Sequence, residues 1–242
     1  MTKVTSNYLF VSLFILLFGT AGGSAMTRKM AYGNDELGWS FFWCWLPACL
    51  ALFLCQCLVF PKARSRLLFQ LVFNGLMGFT LLFFLLSIIL PVFWLSPMDM
   101  WSKVVLAAIF AAILLYNLVF GWQTVHRRWA DLAAPAFEQT FKPKNGSVNW
   151  DHVVRKMKIQ PEIILPGVPA KWTAAVWIVF IIGMIAGLVM KSSWPAFSAF
   201  SWSIPVMLVG ACFNQFSGAF FAQALKVRAI EKDRHIVLPA CG

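Results

Sequence analysis

Six apolar stretches, none of which contains an Asp, Glu, Lys, Arg or His, fill more than half of this 242-residue chain. They run from Tyr8 to Met26, Trp39 to Phe60, Leu67 to Trp94, Val104 to Trp122, Trp172 to Met190 and Ser201 to Leu225, with lengths of 19, 22, 28, 19, 19 and 25 residues. A helix rising 1.5 Å per residue needs roughly 20 residues to cross ~30 Å of hydrocarbon, so each stretch is long enough or nearly so. Nothing in them could solvate a water-facing surface, and a chain of this size cannot hide six such helices in one soluble core. The sequence therefore predicts an all-α, polytopic integral membrane protein: one membrane domain over residues 1–242, a bundle of about six transmembrane helices. A content of 60% hydrophobic residues and a mean hydropathy of +0.76 agree with that class.

All 20 Lys and Arg, all 9 Asp and Glu and all 3 His fall in the connections. Proton relays, ion-coupled carriers and voltage sensors keep ionisable groups at membrane depth, so an uncharged interior weighs against each of them. The charges also set an orientation. With the amino terminus inside, 16 of the 20 basic residues lie on the cytoplasmic side, leaving Arg28, Lys29, Lys103 and Lys191 outside. Positive charge is retained inside, which places both termini in the cytoplasm of an inner (plasma) membrane, multi-pass. Anionic lipid headgroups are the expected partner of that face, and the net charge of +11 calls for no nucleic acid. Trp39, Trp43, Trp94, Trp101, Trp122, Trp172, Trp194 and Trp202 sit at or near the span ends, as interfacial anchors do.

Within the spans, Pro47 and Pro205 predict packing kinks, and the long third span predicts either tilt or an early end at Pro91. The first span has a rival reading. Lys3, the apolar run Leu9 to Phe18, and the small residues Gly23, Ser24 and Ala25 resemble a cleavable secretory signal. Its apolar character continues far enough to cross a membrane, and a retained helix is the expectation.

The longest connection, residues 123–171, is a cytoplasmic loop of about 49 residues. His126 to Phe141 extends the fourth helix until Pro135 disrupts it. Lys142-Pro143-Lys144-Asn145-Gly146-Ser147 is turn-prone, and Pro161, Pro166 and Pro169 punctuate the end. Between them, Trp150, Val153, Val154 and Met157 recur at i, i+3, i+4 and i+7 behind Asn149, a good N-cap, with Arg155, Lys156 and Lys158 on the other faces. This pattern predicts a short basic amphipathic helix lying on the inner membrane surface, with Trp150 dipped into the interface.

Chemistry-bearing sets are weak. Cys44, Cys49, Cys55 and Cys57 share the second span, Cys212 is in the sixth and Cys241 is near the carboxyl end; thiols in an apolar layer read as small hydrophobic packing. His126, His152 and His235 lack a paired ligand at i+3 or i+4, and no intramembrane His pair exists to hold haem. Phosphate-loop, nucleophile-elbow and dinucleotide motifs are missing from the sequence. The expectation is a non-enzymatic protein with no catalytic residues, no cofactor and no metal.

Small and amide residues in the spans are more informative. Gly19 with Gly23, and Gly183 with Gly187, are GxxxG pairs that let another helix backbone come close. Asn74, Asn117, Asn214 and Gln215 must find hydrogen-bond partners at membrane depth, since an unsatisfied amide there costs several kcal/mol. Helix packing or recognition of a membrane-protein partner is the role these residues suggest, with Trp150, Arg155, Lys156 and Lys158 as a membrane-surface set. The functional expectation follows by elimination: protein–protein interaction in the inner membrane, as an accessory or assembly subunit or an immunity protein against a membrane-acting toxin. The alternative is a transporter or channel subunit for an uncharged or lipid-like substrate.

Overall fold

A computed structural model describes residues 4–142, 147–159, 172–190 and 192–240. Lys3, Pro143 to Gly146, Pro161, Pro166, Pro169, Lys171, Lys191 and Cys241 lie outside the described residues. The chain is helical: α1 (Ser6–Met30), α2 (Asp35–Ala63), α3 (Leu67–Trp94), α4 (Met100–Arg128), a π turn (Trp129–Ala133), α5 (Ala134–Thr140), α6 (Trp150–Met157), α7 (Thr173–Val189) and α8 (Pro195–Arg234). Among the described residues there is no strand, only the isolated bridges Arg66 to Pro239 and Lys142 to Ser147.

Five helical segments are long and apolar enough to cross a membrane: α1, α2, α3, α4 with its continuation to Thr140, and α8. This makes the chain a multi-pass membrane protein by length and composition. The fifth apolar stretch of the sequence forms α7, which at 17 residues is ~25 Å long, short of the ~30 Å hydrocarbon layer.

Local chemistry sets the helix ends. Asn34 accepts from the Leu37 N–H at 3.1 Å and starts α2, after a turn in which Tyr32 (φ 56) and Gly33 (φ 87) are left-handed. Arg28 and Asp35 close that turn with an exposed 2.8 Å ion pair. Asp99 accepts from the Ser102 N–H at 2.8 Å and starts α4.

The prolines disturb the helices less than the sequence suggests. α3 does not end at Pro91 but continues to Trp94, with the Leu95 N–H returning to the Pro91 carbonyl at 3.0 Å. Stopping the helix in lipid would leave several carbonyls bare, whereas passing through Pro91 frees one, that of Ser87. That carbonyl abuts α1: a Cβ on Gly23 would stand 2.3 Å from it. α2 and α8 likewise run unbroken through Pro47 and Pro205. Pro135 acts before its own position. The π turn over Trp129–Ala133 widens the helix where the ring would strike the carbonyl of Asp131, and α5 then resumes.

The bundle is organised around α3 and α8. α1 and α2 pack on each other and on α3; α3 packs along α8; α4 lies along α8; and α7 rests on α8. At one end, rich in Arg and Lys and called here the basic end, the π turn, α5 and α6 cover the tips of α3, α4 and α8. Leu67, Leu71, Val125, Phe137, Trp150, Val153, Met157, Val227 and Leu238 form the apolar cluster beneath them. A clasp holds the same end. The Leu67 N–H donates to the Leu238 carbonyl at 3.0 Å, the Ala240 N–H donates to that of Ser65 at 3.1 Å, and Arg66 meets the buried Glu231 at 3.3 Å. The second Glu231 oxygen accepts from the Leu238 N–H at 2.9 Å, so this carboxylate leaves water with both oxygens engaged.

Candidate functional site

Two clusters of neutral polar side chains occupy the apolar interior. In the first, the Asn117 carboxamide nitrogen donates to the Ile113 carbonyl on its own helix at 2.8 Å, and its oxygen accepts from the Gln215 Nε2 at 2.6 Å. Asn214 reaches across to the Leu114 carbonyl at 3.0 Å, and Ser217 donates to the Gly75 carbonyl at 2.9 Å. These bonds tie α8 to α4 on one side and to α3 on the other. Two of the four amides singled out in the sequence thus bond each other, Asn214 bonds backbone instead, and Asn74, half-buried on α3, takes no part.

The second cluster escaped the sequence reading. Ser12 of α1 donates to the Gln56 Oε1 of α2 at 2.5 Å and lies 3.1 Å from the Thr80 hydroxyl of α3. Gln56 Nε2 in turn donates to Thr80 at 2.6 Å, and all three side chains are fully buried. A signal was present. Gln56 is an amide in a charge-free span, subject to the same need for a partner as Asn117. Serine and threonine were harder to flag, because in a helix either can satisfy itself on the carbonyl one turn back, as Thr20 does on Leu16 at 2.8 Å.

Close backbone approach accompanies these bonds. A Cβ on Gly121 would stand 2.1 Å from the Gln215 carbonyl oxygen, and one on Gly218 would stand 2.1 Å from that of Leu118. Facing glycines therefore let α4 and α8 approach where the amides bond. The two GxxxG pairs behave differently from each other. Gly19 and Gly23 both pack against α3, near Phe84 and Ser87. Of the other pair, Gly187 packs on α8 with Ser201 and Ser198 beside it, whereas among the described residues Gly183 has nothing within 4 Å of its Cβ position.

The helix at Trp150 forms as expected, with Asn149 accepting from the His152 N–H at 3.1 Å, but its apolar face has another destination. Trp150 does not dip into a lipid interface. It is fully buried, donates its indole N–H to Gln223 of α8 at 3.1 Å and lies 6.0 Å from the Trp129 ring. The protein itself supplies both an apolar wall and a buried acceptor, so no bilayer is needed to accommodate the indole. Arg128 donates to the carbonyls of Met157 at 2.9 Å and Lys158 at 2.6 Å, placing a cation on the carboxyl end of α6. Arg155, Lys156 and Lys158 remain exposed.

Among the described residues no group of three or more His, Cys, Asp or Glu side chains is placed to hold a metal ion. Cys49 is buried, accepting from the Thr20 hydroxyl at 3.5 Å, while Cys44 and Cys55 of the same helix are exposed. A cleft of about 500 Å³ is lined by Leu68, Phe69 and Val72 of α3, Trp122 of α4 and Phe221, Ala224, Leu225 and Arg228 of α8. Compared with known proteins, the chain matches no family model, no curated protein and no solved structure.

Proposed function

We propose that this chain is an inner-membrane protein with six spans and both termini in the cytoplasm, acting without catalysis by binding another membrane protein. It serves as an accessory or assembly subunit, or as an immunity-type protein that neutralises a membrane-acting toxin. The observation that carries this reading is the position of α7. That helix packs on α8, and among the described residues nothing lies within 4 Å of the Gly183 Cβ position, on a helix that also exposes Val179, Ile182 and Ile185. The motif partner Gly187 is filled by Ser201 of α8 whereas Gly183 is not met by a described residue, and a bare glycine on this peripheral helix fits a partner helix approaching from outside. The uncharged interior adds support, since it gives no ionisable group for proton or ion coupling. Close packing of α4 on α8 weighs against a conduit along that seam.

Affinity purification in mild detergent tests the reading. The wild-type chain is expected to bring down a membrane protein, and Gly183→Leu to reduce that recovery at least about tenfold while leaving its own abundance unchanged. A chain that repeatedly emerges alone, and whose deletion alters neither another membrane protein nor toxin sensitivity, would sink it. The rival transporter reading predicts uptake of an uncharged or lipid-like substrate in proteoliposomes.

A further inference from the structure

We infer that the 500 Å³ cleft between α3, α4 and α8 holds one anionic phospholipid, its acyl chain against Val72, Phe221 and Ala224 and its phosphate on Arg228. This inference rests on the membrane reading above but not on the existence of a protein partner. Size and charge argue for a lipid over a helix. Along α8 the lining runs from Phe221 to Arg228, which at 1.5 Å per residue is ~10 Å, within one ~15 Å leaflet and far short of a spanning helix. Along α3 it extends only from Leu68 to Val72.

Polarity is arranged in the same direction. The deeper lining is apolar, whereas Arg228 stands at the basic end, and Phe69 carries the Lys62 ammonium 5.2 Å and the Arg66 guanidinium 5.5 Å from its ring. Arg66 is already paired with Glu231, but among the described residues Lys62 and Arg228 enter no ion pair. Among the described residues no carboxylate lines the cleft. Trp122, which ends the charge-free stretch of α4, adds an indole to the lining, a side chain suited to a headgroup boundary. A short apolar slot contained within one leaflet, with unneutralised cations near its rim, matches part of an acyl chain joined to a phosphate whose net charge is negative.

Native mass spectrometry of the purified full-length chain, offered equal amounts of phosphatidylglycerol and phosphatidylcholine with identical chains, tests this. Phosphatidylglycerol adducts are expected to exceed phosphatidylcholine adducts about fivefold, and Arg228→Ala, at an exposed position, is expected to bring the ratio close to one. Val72→Trp, which fills the apolar part, is expected to lower both adducts. A photoreactive residue in place of Leu225 should capture lipid in membranes. Equal retention of the two lipids, a preference that survives Arg228→Ala, or capture of a protein helix at Leu225 would each overturn the proposal. Because the lipid is read on the isolated chain, its failure is distinct from failure of the partner reading, which is read at Gly183.

Discussion

α8 carries two seams that are built in opposite ways. Toward α4, glycines face backbone in both directions, Gly121 at Gln215 and Gly218 at Leu118, and the amides of Asn117, Asn214 and Gln215 bond across the gap. Toward α7, Gly187 meets mainly the Ser201 side chain, and one turn away Gly183 meets none of the described residues. In lipid, where burying apolar surface gives helices little reason to associate, close packing and hydrogen bonds must hold them together. The α4 seam has both, while at the α7 seam close packing is confined to one glycine of its motif. The first seam belongs to the fold, and the second leaves a helix face uncommitted.

Substitutions can break this contrast. Gly218→Ala is expected to have the largest effect, about 3 kcal/mol, because its new Cβ meets backbone that cannot turn aside; thermal unfolding in detergent and membrane abundance report it. Gly187→Ala should cost about 1 kcal/mol, since Ser201 Oγ, 1.9 Å from the added Cβ, can rotate away. An equal loss at both positions would remove the distinction between the seams. Gln215→Leu leaves the Asn117 oxygen without that donor and is expected to cost about 1 kcal/mol, as transmembrane side-chain bonds do; the double variant with Asn117→Leu should lose less than the sum of the two single changes. Gly183→Ala is expected to change stability by less than about 0.5 kcal/mol. A marked loss there would mean that α7 has a neighbour within the chain.

How much of this could be read beforehand depended on where each residue's partner lies. Gly19 and Gly23 announce themselves because the motif sits on one helix, and both do pack. Gly121 and Gly218 carry no such mark: each is single on its own face, and they matter only because folding brings them to a common seam. Helix existence was legible from the absence of charge, as were the caps at Asn149 and the continuation beyond Arg128. The destination of an apolar face was not, since hydropathy is the same whether lipid or protein covers it. Trp150 shows this most clearly, with a correct helix and a buried indole where an interfacial one was expected. Ser12, Gln56 and Thr80 lie on three different helices, and no spacing along the chain connects them.

The clasp between the α2–α3 turn and the chain after α8 has a topological consequence. Backbone groups that bond directly, Leu67 with Leu238 and Ser65 with Ala240, cannot lie on opposite sides of a bilayer. Everything between them must therefore traverse the membrane an even number of times. α3, α4 and the apolar part of α8 are each long and apolar enough for a passage, and counting those three leaves α7 as the helix available for a fourth. Parity thus favours a crossing that length alone leaves short, with the bilayer thinning or the flanking residues reaching outward to accommodate ~25 Å of helix.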